Sequence, residues 1–173
     1  MEGTFTYNVD EWQPEVDYSV ADGLGTLAMS HGGDSLPVGG EAVNKWDLQF
    51  NPDVPLEFIV QTGAGESVID LSALDITAVT IETGAGATTI DLTGSWNHDV
   101  AVSVTGGVGE ITINLPAGMG VKVDSETALV SVSTSGLDKN GGIYTNDAYD
   151  TAEYTLTLDL QAGIGSVNLV VAE

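Results

Sequence analysis

Apolar and polar residues alternate with a period of two along most of the chain, and glycines interrupt the alternation at regular intervals. Alternation of this kind marks strands with one buried face, and it predicts β-structure nearly throughout. No window shows a 3.6-residue apolar period, so essentially no helix is expected. Three segments repeat most plainly: Thr62-Gly63-Ala64-Gly65, Thr83-Gly84-Ala85-Gly86 and Gly106-Gly107-Val108-Gly109. A β-type run follows each one, over 67–71, 88–92 and 111–115. The anchor glycines Gly63, Gly84 and Gly107 are spaced by 21 and then 23 residues, and a degenerate copy, Ala128-Leu129-Val130, falls 21 residues further on. Weaker copies flank the series at Gly23-Leu24-Gly25 and Gly163-Ile164-Gly165, beyond gaps of 40 and 35 residues.

Aligned on these anchors, the copies share side-chain types column by column. Five residues before the anchor stand Tyr18, Phe58, Val79, Val102, Val123 and Leu158. Three before it stand Val20, Val60, Ile81, Val104, Ser125 and Leu160. Four after it stand Leu27, Ser67, Thr88, Ile111, Val132 and Val167, and six after it Met29, Ile69, Ile90, Ile113, Thr134 and Leu169. Val, Ile and Thr dominate, as a pleated, half-buried face prefers. Two strands meeting at a glycine corner, repeated every 21 to 23 residues, read as one coil of a β-solenoid.

The expected fold is therefore all-β: a short solenoid of about six two-strand coils, a single domain over 1–173 with insertions at about 31–53 and 136–152. Successive coils should stack about 4.8 Å apart. The corner glycines are Gly23, Gly25, Gly63, Gly65, Gly84, Gly86, Gly107, Gly109, Gly163 and Gly165, placed where a sharp turn needs positive φ or close backbone approach. An antiparallel sandwich is the alternative, since its strands also recur every 8 to 12 residues. It does not require one side-chain type at one offset in consecutive repeats.

Charge narrows the function. The 173 residues carry 3 Lys and no Arg against 26 Asp and Glu, a formal charge of −23. Phosphate binding needs clustered cationic side chains, so nucleic acid is excluded as a partner, and docking on anionic lipid is disfavoured. Hydrophobic residues at 42% distinguish the chain from a disordered acidic segment. With no Cys, disulfides and thiolate chemistry are absent. No stretch approaches 18 apolar residues, so no membrane insertion is expected. Met1 to Thr4 lacks the basic and apolar regions of a signal peptide, and the start reads as that of a mature fragment.

At this point the residues resemble a family. Gly3-Thr4-Phe5-Thr6-Tyr7-Asn8-Val9 with Glu11-Trp12-x-Pro14-x-Val16 is similar to the toastrack family, the candidate-adhesin and LiaF-like domains of bacterial envelope proteins. So are the Thr-Gly-Ala-Gly-x-x-x-Ile-Asp-Leu repeats, Gly107-Val108-Gly109-Glu110-Ile111 and Asn146-Asp147-Ala148-Tyr149. The match covers nearly the whole chain, and its motifs are corners and strand columns rather than a catalytic signature. The resemblance implies stacked coils, a site outside the cytoplasmic membrane or attached to it, anchoring by a segment missing from this chain, and a sensing, scaffolding or adhesive role without chemistry.

The candidate catalytic groups agree with that implication. Of the two histidines, His98 adjoins Asp99, from which a general base could be built, but no Gly-x-Ser-x-Gly nucleophile elbow exists. A turn histidine is the simpler reading, and His31 at an insertion edge is read the same way. The Gly-Ala-Gly motifs lack the helix and Lys of a phosphate loop. Asp70, Asp91 and Asn114 form an outward column in which Asp70 and Asp91 would stand about 5 Å apart. That is near the spacing of a retaining glycosidase pair. The small neighbours Val68, Thr89 and Thr112 supply neither desolvation nor a sugar platform, so a solvated face or a cation ladder is preferred. Asp138, Asn140, Asp147 and Asp150 in the second insertion could ligate calcium, although Ile143 and Tyr149 stand where an EF-hand needs Gly and Glu. No cofactor is implied, and Ca²⁺ is the one ion these columns leave open. The alternative for that insertion is a Gly141-Gly142 hairpin with Tyr144 and Tyr149 covering the core edge. Trp12 and Trp46 read as caps on an open core rather than sugar platforms.

These readings converge on a non-enzymatic interaction, scaffold or sensing module. A self-assembling adhesin, stabilised by Ca²⁺, is the alternative, and a polysaccharide-active β-helix enzyme a remote one. The expected partner is a protein or a second copy, joined through open solenoid ends at the uncharged runs Thr4–Val9 and Ser166–Ala172.

Overall fold

The computed structural model describes residues 1–32 and 43–172; the Gly33-to-Gly40 part of the first insertion lies outside them. The chain falls into two compact units, Met1–Asn51 and Pro52–Glu173.

In the first unit β1 (Glu2–Tyr7) pairs antiparallel with β4 (Asn44–Gln49), and β2 (Pro14–Ala21) with β3 (Leu24–His31). The β2–β3 turn is Asp22-Gly23 with φ of 53° and 83°. Two successive left-handed residues of this type are what a two-residue hairpin with native twist requires. A single 3₁₀ turn at Asp10–Trp12 buries Trp12. The Phe5 ring meets Trp46 edge-on at 5.2 Å, and His31 lies 6.3 Å from Trp12 and 6.1 Å from Trp46.

The second unit is the solenoid. Five long strands lie parallel: β5 (Leu56–Asp70), β6 (Ile76–Asp91), β7 (Val100–Leu115), β8 (Gly120–Ser135) and β11 (Thr155–Val171). The short strands β9 (Asp138–Asn140) and β10 (Ile143–Thr145) form a hairpin whose β10 arm runs antiparallel to the start of β8. The sheet order is β5-β6-β7-β11-β8-β10-β9. The corner of each long strand is glycine in β5, β6, β7 and β11 and Leu129-Val130 in β8, and the arms on either side feed one hydrophobic cluster. Val79, Val102, Leu158 and Val123 are register partners in the first arm, and Ile90, Ile113 and Leu169 in the second, all buried. Fully burying one such side chain stabilises the fold by about 1.5–3 kcal/mol. Thr88 and Asn146 are the buried polar residues among those described.

Three expectations are corrected. The copy at Gly23 is not a coil of the stack but the β2–β3 turn, and its column residues Tyr18 and Val20 are 66% and 62% exposed. Its strands pair with each other, which leaves them without the parallel neighbours that bury the same columns elsewhere. Among the described residues the parallel stack therefore holds five coils. Secondly, coils consecutive in sequence are not always neighbours: β11 lies between β7 and β8. The chain leaves β8 through the β9–β10 hairpin, and Asn146 then pins the return. Its Nδ2 donates to the carbonyls of Met119 (2.8 Å) and Pro116 (3.4 Å), while its Oδ1 accepts from the Val121 N–H (2.8 Å). Thirdly, Ser166–Ala172 is no free edge. Strand β11 is paired on both sides, and Leu156, Leu158, Val167 and Leu169 have no exposed surface. An uncharged, nearly continuous apolar run is the signature of a covered central strand. The other uncharged run, Thr4–Val9, lies largely in β1, which already pairs with β4 along one side.

Candidate interaction surface

The glycine corners build the most distinctive surface of the second unit. Gly65, Gly86, Gly109 and Gly165 share one rung and have φ of 148°, 132°, 147° and 138°. A Cβ on Gly86, Gly109 or Gly165 would fall on the carbonyl oxygen of the glycine in the preceding coil. On β6, β7 and β11 the stacked backbones approach too closely there for any side chain, whereas β8 at the end of the rung carries Val130. Outside this rung the next column is Ala64, Ala85, Val108, Ile164 and Leu129 in spatial order. Val108, Ile164 and Leu129 project into solvent at 55%, 54% and 74% exposure.

This column is the crest of an uncharged ridge. Four residues from each of five strands, 62–65, 83–86, 106–109, 162–165 and 127–130, contain no ionisable side chain. In a chain of charge −23, an uncharged band of this size is a specific feature of the surface. Carboxylates border it on both sides and are tied down by amides: Gln61 Nε2 donates to Glu82 (2.9 Å), and Asn168 Nδ2 to Glu110 (3.1 Å). The ridge is a rail of small and apolar groups between polar margins, which suits contact with another macromolecule. A concavity beside it is lined by Thr83, Val108, Ile111, Val130, Ile164 and Ser166 among others, with no titratable group to act as acid or base.

The carboxylate column is placed as follows. Asp70, Asp91 and Asn114 are successive register partners. Each Asp turns back on its own chain. Asp70 Oδ1 accepts from the Ser72 N–H (3.0 Å) and hydroxyl (2.6 Å), and Asp91 Oδ1 from the Thr93 N–H (2.9 Å) and hydroxyl (2.7 Å). The Ser72 hydroxyl, followed by its N–H, holds the Asp70 carboxyl below its ordinary value of 3.8. These Asp-Leu-Ser and Asp-Leu-Thr turns end the strands. In the second insertion Asp138 and Asn140 lie on β9 and Asp147 and Asp150 on the following turn, all exposed. Among the described residues no three His, Cys, Asp or Glu side chains come together in an arrangement that could hold a metal. Gly141 and Gly142 make the β9–β10 turn, Tyr144 is buried in the core, and Lys139 Nζ lies 5.1 Å from its ring.

The histidine chemistry does not assemble. His98 Nε2 lies 2.9 Å from the Ile76 carbonyl and 3.9 Å from Asp75, whereas Asp99 accepts from the Thr155 N–H at 2.8 Å. The adjacent pair thus diverges to opposite sides of its turn. Trp96 is buried with Nε1 donating to the Leu74 carbonyl at 2.7 Å.

Sequence reasoning alone does not single out the exposed Val108–Ile164–Leu129 column, because these outward side chains carry no chemistry of their own. The signal was present: the middle residue of each glycine motif grows from Ala to Val, Ile and Leu.

Comparison with known proteins gives concordant results. Residues 1–114 match the model of the N-terminal domain of toast_rack, and residues 65–169 match that of the cell wall-active antibiotics response protein LiaF, C-terminal. No curated protein matches the chain. The crystal structure of a candidate cell adhesion protein from Clostridium sporogenes ATCC 15579 superposes with a TM-score of 0.93 and 33% identity, covering 98% of this chain and 82% of that one. Here no helix is long and apolar enough to cross a membrane among the described residues.

Proposed function

Since this chain belongs to the toast-rack family, we propose that it is a non-enzymatic interaction module of a bacterial cell-envelope protein, which scaffolds or senses by contact on the extracytoplasmic side. The uncharged ridge crested by Val108, Ile164 and Leu129 carries this reading. It is an exposed apolar rail on a rigid parallel sheet, within a chain whose charge keeps other contacts weak. The LiaF match supports an envelope response role, and the clostridial neighbour's description supports adhesion. Among the described residues, no acid–base pair, nucleophile or cofactor cradle is brought together that would support a catalytic reading.

The test is photo-crosslinking of the purified chain to isolated cell envelopes of its source organism. Val108→Asp and Ile164→Asp serve as paired variants, since both residues are exposed and the substitutions leave the core intact. Specific protein crosslinks that fall at least tenfold in both variants are expected. Equal capture by all three proteins, or release of soluble sugars from the cell wall, would overturn the reading.

A further inference from the structure

The two ends of β8 differ in what covers them. Over its first arm β10 pairs with Lys122, Val123 and Asp124, and the Ser125 N–H donates to the Gly142 carbonyl at 3.0 Å. Past that point β8 pairs with β11 on one side and, among the described residues, with nothing on the other. An uncovered edge presents a row of N–H and C=O groups ready to template another strand, and proteins ordinarily blunt it with Lys, Pro or a bulge. Thr127 to Ser135 reads Thr-Ala-Leu-Val-Ser-Val-Ser-Thr-Ser, with neither charge nor Pro. The core is also open here. Val167 and Leu169 on β11 are fully buried, whereas Val130 and Val132 are half-buried and Thr134 is exposed.

We infer that the outer edge of β8 from Thr127 to Ser135 is a homodimerisation edge, to which a second copy of this chain adds antiparallel through the same nine residues about a two-fold axis at Ser131. The inference rests on the reading of the chain as an interaction module. Closed two-fold pairing of one edge with itself is necessarily antiparallel. A centre at Ser131 sets Val130 opposite Val132 of the second copy and the reverse, so that each pair extends the other's open core. Thr127 then faces Ser135, and Glu126 faces Gly136, where φ of 74° turns the chain away. No carboxylate therefore meets another along the paired segment. The self-complementary register, free of opposed carboxylates, points to a second copy as the occupant. Two copies of charge −23 repel, and a long uncharged strand edge is where they can meet without opposing like charges directly. Nine residues of strand pairing fall short of a standard interface, so the dimer is weak and strengthens with salt.

The absence of Cys supplies the experiment. Ser131→Cys places one thiol on the axis, where Cα atoms of paired strands stand about 4.5–5.5 Å apart, within disulfide reach. Oxidation of the full chain at 0.5 M NaCl should give disulfide dimer at least tenfold faster for Ser131→Cys than for Ser19→Cys, an exposed control on β2. Light scattering of the unmodified protein should show mass rising from 17.8 kDa towards twice that value with protein and salt concentration. Ser131→Asp should remain monomeric with an unchanged melting temperature. Equal oxidation of both cysteine variants, or a monomer at every concentration and salt, would overturn the dimer. Envelope capture that still depends on Val108 and Ile164 in that case keeps the interaction reading; loss of capture with the dimer intact removes that reading instead.

Discussion

Thr62-Gly63-Ala64-Gly65 and Thr83-Gly84-Ala85-Gly86 are the same tetrapeptide at the same point of neighbouring coils, yet their glycines answer to different demands. A Cβ added to Gly84 would strike the carbonyl of Gly63, while one added to Gly63 would meet nothing within 4 Å. At this first position the motif needs glycine where another coil lies underneath and merely tolerates it on the outermost coil, while Gly65 of that coil still needs it for a φ of 148°. Gly23 of the first unit carries the contrast further. It too has open space within 4 Å, and its requirement for glycine is the φ of 83° of a hairpin. One local pattern thus serves three physical roles, and strand neighbours decide which.

The largest test of that contrast compares two residues from one repeat column. Leu158 is fully buried at the centre of the stack and Tyr18 is 66% exposed on the hairpin, though both stand five residues before their anchors. Leu158→Ala should cost about 2–5 kcal/mol through lost burial and an unfilled cavity. Tyr18→Ala should stay within about 0.5–1 kcal/mol. Urea unfolding of the two variants measures both. Similar losses would mean that the Gly23 copy is packed like a coil after all.

The columns themselves were legible. The positions three and five before the anchor, and four and six after it, are true register partners through β5, β6, β7, β11 and β8. Recurrence of one side-chain type at one offset is enforced by stacking, so the sequence displays it directly. Spatial order was not legible, because period and alternation are the same for a strand that joins the end of a stack and one that enters its middle. The signal that β11 is central lay in its composition, Val167-Asn168-Leu169-Val170-Val171, as against the Ser and Thr of 131–135 on β8. The Asn146 clamp was equally hidden. Its partners Val121, Met119 and Pro116 lie 25 to 30 residues away, and a buried amide advertises nothing in sequence. The candidate surface escaped for a simpler reason: an outward Val or Leu at a corner looks like an imperfect repeat until its neighbours are lined up.

A second, smaller test exchanges the glycines. Gly84→Ala should cost about 1–3 kcal/mol, because the added methyl meets backbone that cannot swing aside. Gly63→Ala should be neutral within about 0.5 kcal/mol. Thermal melts of the two variants under one set of conditions suffice. If they melt alike, the close approach between coils is not what selects glycine at the corner.

The smallest effect concerns the strand ends, where Asp70 and Asp91 make the same turn on the outermost and the next coil. The Asp70 carboxyl is held below 3.8 by the hydroxyl and N–H of Ser72. A carboxyl with a depressed folded-state value stabilises the fold at pH values above its ordinary one, and that contribution disappears as pH falls through the lowered value. Asp70→Asn should therefore melt slightly below wild type at pH 7 and converge with it as pH falls well below 3.8. Asp70 is exposed, so solvent screening limits the difference to about 1 kcal/mol or less. The comparison belongs at high salt. At low salt, removing one of 26 acidic groups also relieves self-repulsion, which would raise the variant's melting temperature and mask the sign. A variant that melts above wild type at pH 7 in high salt, or one whose deficit persists unchanged however far the pH falls below 3.8, would show that the Ser72 contacts do not hold the charged form of Asp70.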